Sequence, residues 1–89
     1  MPLAIDVPRD PEKALTLDTP ILCVEVQLGS LVARGRDGYE AEGRAGETID
    51  GDKLRSPVVL TATESPCRVC IIYDSEARAY EARRQRGTT

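Results

Sequence analysis

Ile21-Leu22-Cys23-Val24-Glu25-Val26-Gln27-Leu28-Gly29-Ser30-Leu31-Val32-Ala33-Arg34 is the stretch on which the fold turns. Leu22, Val24, Val26 and Leu28 alternate with Cys23, Glu25 and Gln27, the period-two pattern of a half-buried strand. Gly29-Ser30 then has the form of a two-residue type II′ turn, with glycine first because φ is positive there, and residues 31–34 return as the partner strand. A β-hairpin is therefore the expected nucleus.

Downstream, Arg36-Asp37-Gly38-Tyr39 supplies an Asp-Gly turn. Tyr39, Ala41 and Gly43 then alternate with Glu40, Glu42 and Arg44 as a short strand with one charged face, which suits a sheet edge. Residues 45–53 gather Gly46 and Asp50-Gly51-Asp52 around a lone apolar residue, Ile49, and read as a loop or arch. Residues 57–62 and 67–73 are two β-rich segments separated by a turn at Thr63-Glu64-Ser65-Pro66. In the second, Cys67, Val69, Ile71 and Tyr73 share one face while Cys70 and Ile72 make the other partly apolar, as in a central strand covered on both sides.

Proline and glycine divide the chain. Four of its six prolines fall in residues 1–20, and six of its seven glycines between 29 and 51. Residues 1–19 read as an extended, proline-rich arm, with one helical turn available at Pro11, where a proline at the first helical position is favourable. Residues 20–74 form the β domain. Residues 75–89 are expected to be a C-terminal helix and tail, capped by Ser75, acidic at its start and ending in Arg83, Arg84 and Arg86. No sequence period of 20–50 residues repeats. The expected fold is mainly β: a small single-domain antiparallel sheet, barrel or sandwich with an N-terminal arm and a short C-terminal helix.

Composition constrains function by exclusion. The 89 residues suffice for one small domain, and they include no His, Phe, Trp or Asn. The commonest general base and metal ligand are thus missing, and the core must be built from aliphatic residues, Ala, Cys and Tyr. The net charge of −3 argues against a nucleic-acid footprint, although Arg78, Arg83, Arg84 and Arg86 make the end of the chain locally basic. No apolar run approaches a membrane span. Residues 1–7 lack the charged and apolar regions of a signal peptide, and three cysteines is an odd number, so a cytoplasmic, reducing setting is expected when the chain is made.

Candidate chemistry is sparse. Cys67-Arg68-Val69-Cys70 is a C-x-x-C, but positions three apart fall on opposite faces of a strand, and no second pair or His completes a zinc site. Cys23 has no His to activate it. Glu40 and Glu42 share a strand face with nothing apolar around them to raise a carboxylate pKa. Glu47, Asp50 and Asp52 lack the spacing of a calcium loop. No catalytic, cofactor or metal role is assigned to any residue.

Interaction is what remains. In the arm, Leu3, Ile5 and Val7, then Leu15 and Leu17, alternate as a strand seeking a sheet edge, on its own sheet or a neighbour's. Fixing each arm residue costs about 1–2 kcal/mol, so the arm orders only where these side chains find apolar surface. With Glu40, Glu42, Arg83 and Arg84 they are the expected partner-binding residues. The partners expected are proteins, as a homo-oligomer or larger assembly, with neither nucleic acid nor membrane. The alternative is a small monomeric regulator or inhibitor that binds another protein through the acidic edge of Glu40, Glu42 and Glu47.

One segment carries a resemblance. Ala45-Gly46-Glu47-Thr48-Ile49-Asp50-Gly51-Asp52-Lys53-Leu54 resembles, with one residue fewer between Ile49 and Gly51, the Gly-Glu-x-Ile-x-x-Gly-Asp-x-Leu arch of small β modules, including accessory proteins that decorate phage heads. The resemblance implies a compact β module and, as its most concrete setting, an accessory subunit of a virion, capsid or tail. It assigns no functional residue.

Overall fold

The computed structural model describes residues 3–74, so the expected helix from Glu76 to Arg86, with Arg83 and Arg84, lies outside the described residues. Within them the chain is mainly β: β1 (Leu3–Asp6), β2 (Leu15–Leu17), β3 (Ile21–Arg34), β4 (Glu40–Arg44), β5 (Thr48–Asp50) and β6 (Val58–Tyr73). All six belong to one antiparallel sheet of order β1-β6-β3-β4, with β2 also on β6 and β5 also on β3. The expected helical turn at Pro11 is present as a 3₁₀ turn, Pro11–Lys13, capped by the Asp10 side chain, which accepts from the Glu12 N–H.

Two expectations are corrected. Gly29-Ser30 is not a hairpin turn, and residues 63–66 do not separate two strands. β3 and β6 each run unbroken through those positions. What looked like a turn in each case is a change in which residues face inward. In β3 the alternating core residues are Val24 and Val26 before Gly29, and Leu31 and Ala33 after it, with Ile21 buried at the start of the strand and Ser30 at the bulge. In β6 they are Val58, Leu60 and Ala62 before residues 63–66, and Cys67, Val69 and Ile71 after, with Cys70 buried on the opposite face. An extra residue in a ladder moves the side chains that follow it to the other face, and the β3–β6 register shifts between Val26 and Leu31 as a bulge requires. Gly29 keeps the positive φ expected of it, +74°, but spends it on the bulge. Leu22 and Leu28, expected to be buried with Val24 and Val26, are instead 53% and 45% exposed.

The two bulges fold the sheet over. Leu17 is in register with Val58 and Ile21 with Tyr73, the opposite ends of β6. Four residue steps reach no more than about 14 Å, whereas a straight strand as long as β6 would span about 50 Å. Residues 18–20 can make this connection only if β6 doubles back. One layer holds β1, the C-terminal half of β6, the N-terminal half of β3 and β5. The other holds β2, the N-terminal half of β6, the C-terminal half of β3 and β4. Both layers contribute to a single core cluster that runs from Val7 and Leu17 through Val24, Leu31, Leu60 and Val69, with Ile49 and Leu54 included. Residues 45–53 are thus more than a loop, since Thr48, Ile49 and Asp50 form β5 and Ile49 enters the core.

The arm is part of this sheet. β1 pairs with the C-terminal half of β6 and β2 with its N-terminal half, and Val7 and Leu17 are buried. The same arrangement recurs in the second half of the chain, where β4 pairs with the C-terminal half of β3 and β5 with its N-terminal half. Each half therefore consists of two short strands and a long one, and each lays its short strands on the other half's long strand. Thr19-Pro20-Ile21 and Ser56-Pro57-Val58 lead into the two long strands, the second with a cis peptide bond that the first lacks. The repeat escaped the sequence because the two halves share a layout of strands with few residues in common.

Candidate functional site

The bulges meet at Ser30, a buried polar residue facing Glu64 across the ladder. Its hydroxyl donates to Glu64 Oε1 at 3.0 Å and lies 2.7 Å from Thr63 Oγ1. A serine has one proton to give, so with that proton on the carboxylate, Thr63 is the donor in the second bond. Ser30, Thr63 and Glu64 line a groove of about 500 Å³ together with Glu42, Arg44 and Glu47. The Glu47 carboxylate accepts the Arg44 backbone N–H at 2.7 Å. Three carboxylates against one guanidinium give this groove an acidic lining.

A second groove of about 400 Å³ follows β4 and β5, lined by Tyr39, Glu42, Asp50, Asp52 and Lys53. Asp50 accepts the Asp52 N–H at 3.0 Å, and Lys53 Nζ stands 5.9 Å from the Tyr39 ring centroid, within cation–π range. Glu42 lines both grooves, and no cysteine lines either. Sequence reasoning singled out Glu42 and Glu47 but missed Ser30, Thr63 and Glu64. They lie more than thirty positions apart across the ladder, and only the bulged register brings them together.

The expected partner-binding residues separate into groups. Val7 and Leu17 are buried, and Ile5 and Leu15 pack against the same core, so these four serve the chain's own sheet. Leu3 takes its place in the ladder opposite Ile71. Glu40 and Glu42 are exposed on β4, as their alternation with Ala41 and Gly43 required, and Glu40 pairs with Arg34 at 2.9 Å. This exposed pair is worth about 0–1 kcal/mol.

The cysteines divide by face. Cys67 is buried in the core cluster, whereas Cys70, also buried, lies outside it beside half-buried Ile72 and Cys23 on the outer side of the sheet. All three are free thiols. Burial, and then the charge of Asp6, pushes the Cys67 thiol up. Burial also raises Cys23, followed by Glu25, Asp50 and Cys70. Thiols shifted this way hold their protons at neutral pH and are weak nucleophiles. Among the described residues no group of three or more cysteines and carboxylates is placed to hold a metal ion, and no helix is long and apolar enough to cross a membrane.

No protein-family model, curated protein or solved structure matches the chain.

Proposed function

We propose that this protein is a non-enzymatic structural module that builds an assembly by contacting neighbouring subunits along its sheet edges. The observation that carries the reading is the flanking of the sheet. Among the described residues β1 and β2 pair only with β6, and β4 and β5 only with β3, so within them each short strand has an outer side available for strand addition. The charged face of β4 supports it, because Glu40, Glu42 and Arg44 restrict which strand can add there. The arch of residues 45–54 makes an accessory virion subunit the concrete form of the proposal. Light scattering at two concentrations tests it: the mass should rise with concentration, and a strictly monomeric protein would overturn self-assembly.

A second reading is favoured by the grooves on either side of Glu42. A monomeric regulator could seat a partner's lysine or arginine against Glu42, Glu47 and Glu64. A monomer that binds a lysine-rich peptide, and loses that binding on Glu42→Lys, would support this reading over assembly.

A further inference from the structure

The arm differs from its counterpart in the other half of the chain. β4 is joined by residues 35–39 to the strand it pairs with, and Arg34 faces Glu40 across that turn. β1 and β2 instead pair with a strand at the far end of the sequence, Leu3 facing Ile71 and Leu17 facing Val58. Only residues 18–20 tie them to β3. The arm fills a shaped seat: Val7 and Leu17 enter the core, the Val7 N–H donates to the Cys67 carbonyl and the Ala62 N–H to the Pro8 carbonyl, both at 2.9 Å, and Asp6 meets Arg68 at 3.1 Å. An empty seat would open the core to water, so an arm that leaves must be replaced by an equivalent one. None of these contacts depends on which copy of the chain supplies the arm.

We propose that two copies of this chain associate by exchanging residues 3–17, each arm seating on the other copy's β6. The proposal rests on the assembly reading above and names its partner and mode. Exchange of an identical element is a low-cost route to a dimer, because every bond of the closed form is remade. A chain's own arm competes at an effective concentration on the order of mM, so dilute protein closes on itself and crowded protein exchanges. The hinge sets the balance. Residues 18–20 must carry the chain from the Val58 end of β6 to its Tyr73 end, and each residue removed from this hinge cuts its reach by about 3.5 Å and so favours exchange over closure within one copy.

Two variants test the proposal. Deleting Thr19 should double the mass seen by light scattering at a concentration where the native chain is monomeric. Independently, Asp6→Arg in one preparation and Arg68→Asp in another each set like charges face to face. Exchange between the two variants restores both attractions. After mixing at high concentration, native mass spectrometry should show heterodimers above random pairing by roughly two- to five-fold, an excess that shrinks with added salt. Dimers that pair at random would overturn exchange and leave edge-to-edge assembly standing. Protein that stays monomeric in every preparation would overturn both readings. If the Thr19 deletion unfolds the chain, the charge-swapped mixture decides.

Discussion

Gly29 sits against the backbone of Glu64: a Cβ on Gly29 would lie 2.6 Å from the Glu64 carbonyl oxygen, and it would also overlap the carbonyl of Pro66. The two long strands bulge into each other at this point, and the contact leaves room for hydrogen alone. The φ of +74° adds a second reason for glycine.

Gly29→Ala should therefore be among the most destabilising single changes in the chain. The left-handed backbone alone costs about 1–2 kcal/mol in a non-glycine residue, and the backbone overlap adds to it, for a total of about 3 kcal/mol or more. Gly43→Ala is the control. Its Cβ would meet side-chain atoms and no backbone among its nearest neighbours, Ile49 Cδ1 at 2.8 Å and Val26 Cγ2 at 3.0 Å, and its backbone is not left-handed. Urea denaturation should place Gly29→Ala well below Gly43→Ala. Equal midpoints would mean that the bulge is not as tight as described.

The arm's place in the core predicts a contrast between leucines. Leu17→Ala should cost about 2–4 kcal/mol, because it removes a side chain that is 4% exposed and leaves a cavity. Leu22→Ala and Leu28→Ala, on a strand that looks more central, should each change stability by less than about 0.5 kcal/mol. An arm that merely lies over the surface would reverse this order.

The inversion shows how much of the fold was legible. Period two was read correctly wherever a strand kept one face inward, as at Glu40, Glu42 and Gly43 or at Cys67, Val69 and Ile71. It misled at Leu28, beside the change of inward face at Gly29, and at Leu22, beside a separate register shift between Ile21 and Cys23, because a change of inward face within one strand leaves the same local pattern as a turn between two. Gly29 was correctly assigned a positive φ, yet a bulge and a type II′ turn both require one, and only the partner strand tells them apart. The groove of Ser30, Thr63 and Glu64 was illegible for the same reason, since it exists only in the bulged register.

The Cys67 thiol makes stability depend on alkaline pH. Its pKa is raised above the ordinary value of 9.0, by burial first and Asp6 second, so the folded chain keeps a proton that the unfolded chain releases sooner. The associated stability is fully present below the unfolded pKa and is lost as pH rises through the folded one. Cys67→Val keeps an apolar side chain of similar size and removes the titration. The variant should gain on the native chain as pH is raised above 9.0, while Cys23, shifted the same way, retains its share of the slope. A stability difference that stays constant across that range would show that Cys67 does not titrate differently in the two states.

The reciprocal seating of short strands predicts that the two halves need each other. Residues 1–37 would hold β1, β2 and β3 but lack β6, on which the first two lie. Residues 38–89 would hold β4 to β6 but lack β3, on which β4 and β5 lie. Neither fragment can bury the core cluster alone, because β3 and β6 supply most of it and stand on opposite sides of the break. Each fragment by itself should give the circular dichroism of an unfolded chain. Mixed in equal amounts, the two should recover β signal and co-elute as one species, since the break falls in an exposed turn at Asp37 and Gly38, away from the ladders. The complex should weaken on dilution, as the contacts that were intramolecular now depend on concentration. A fragment that folded alone would refute the crossed arrangement, because its short strands would then have found a seat other than the long strand of the other half.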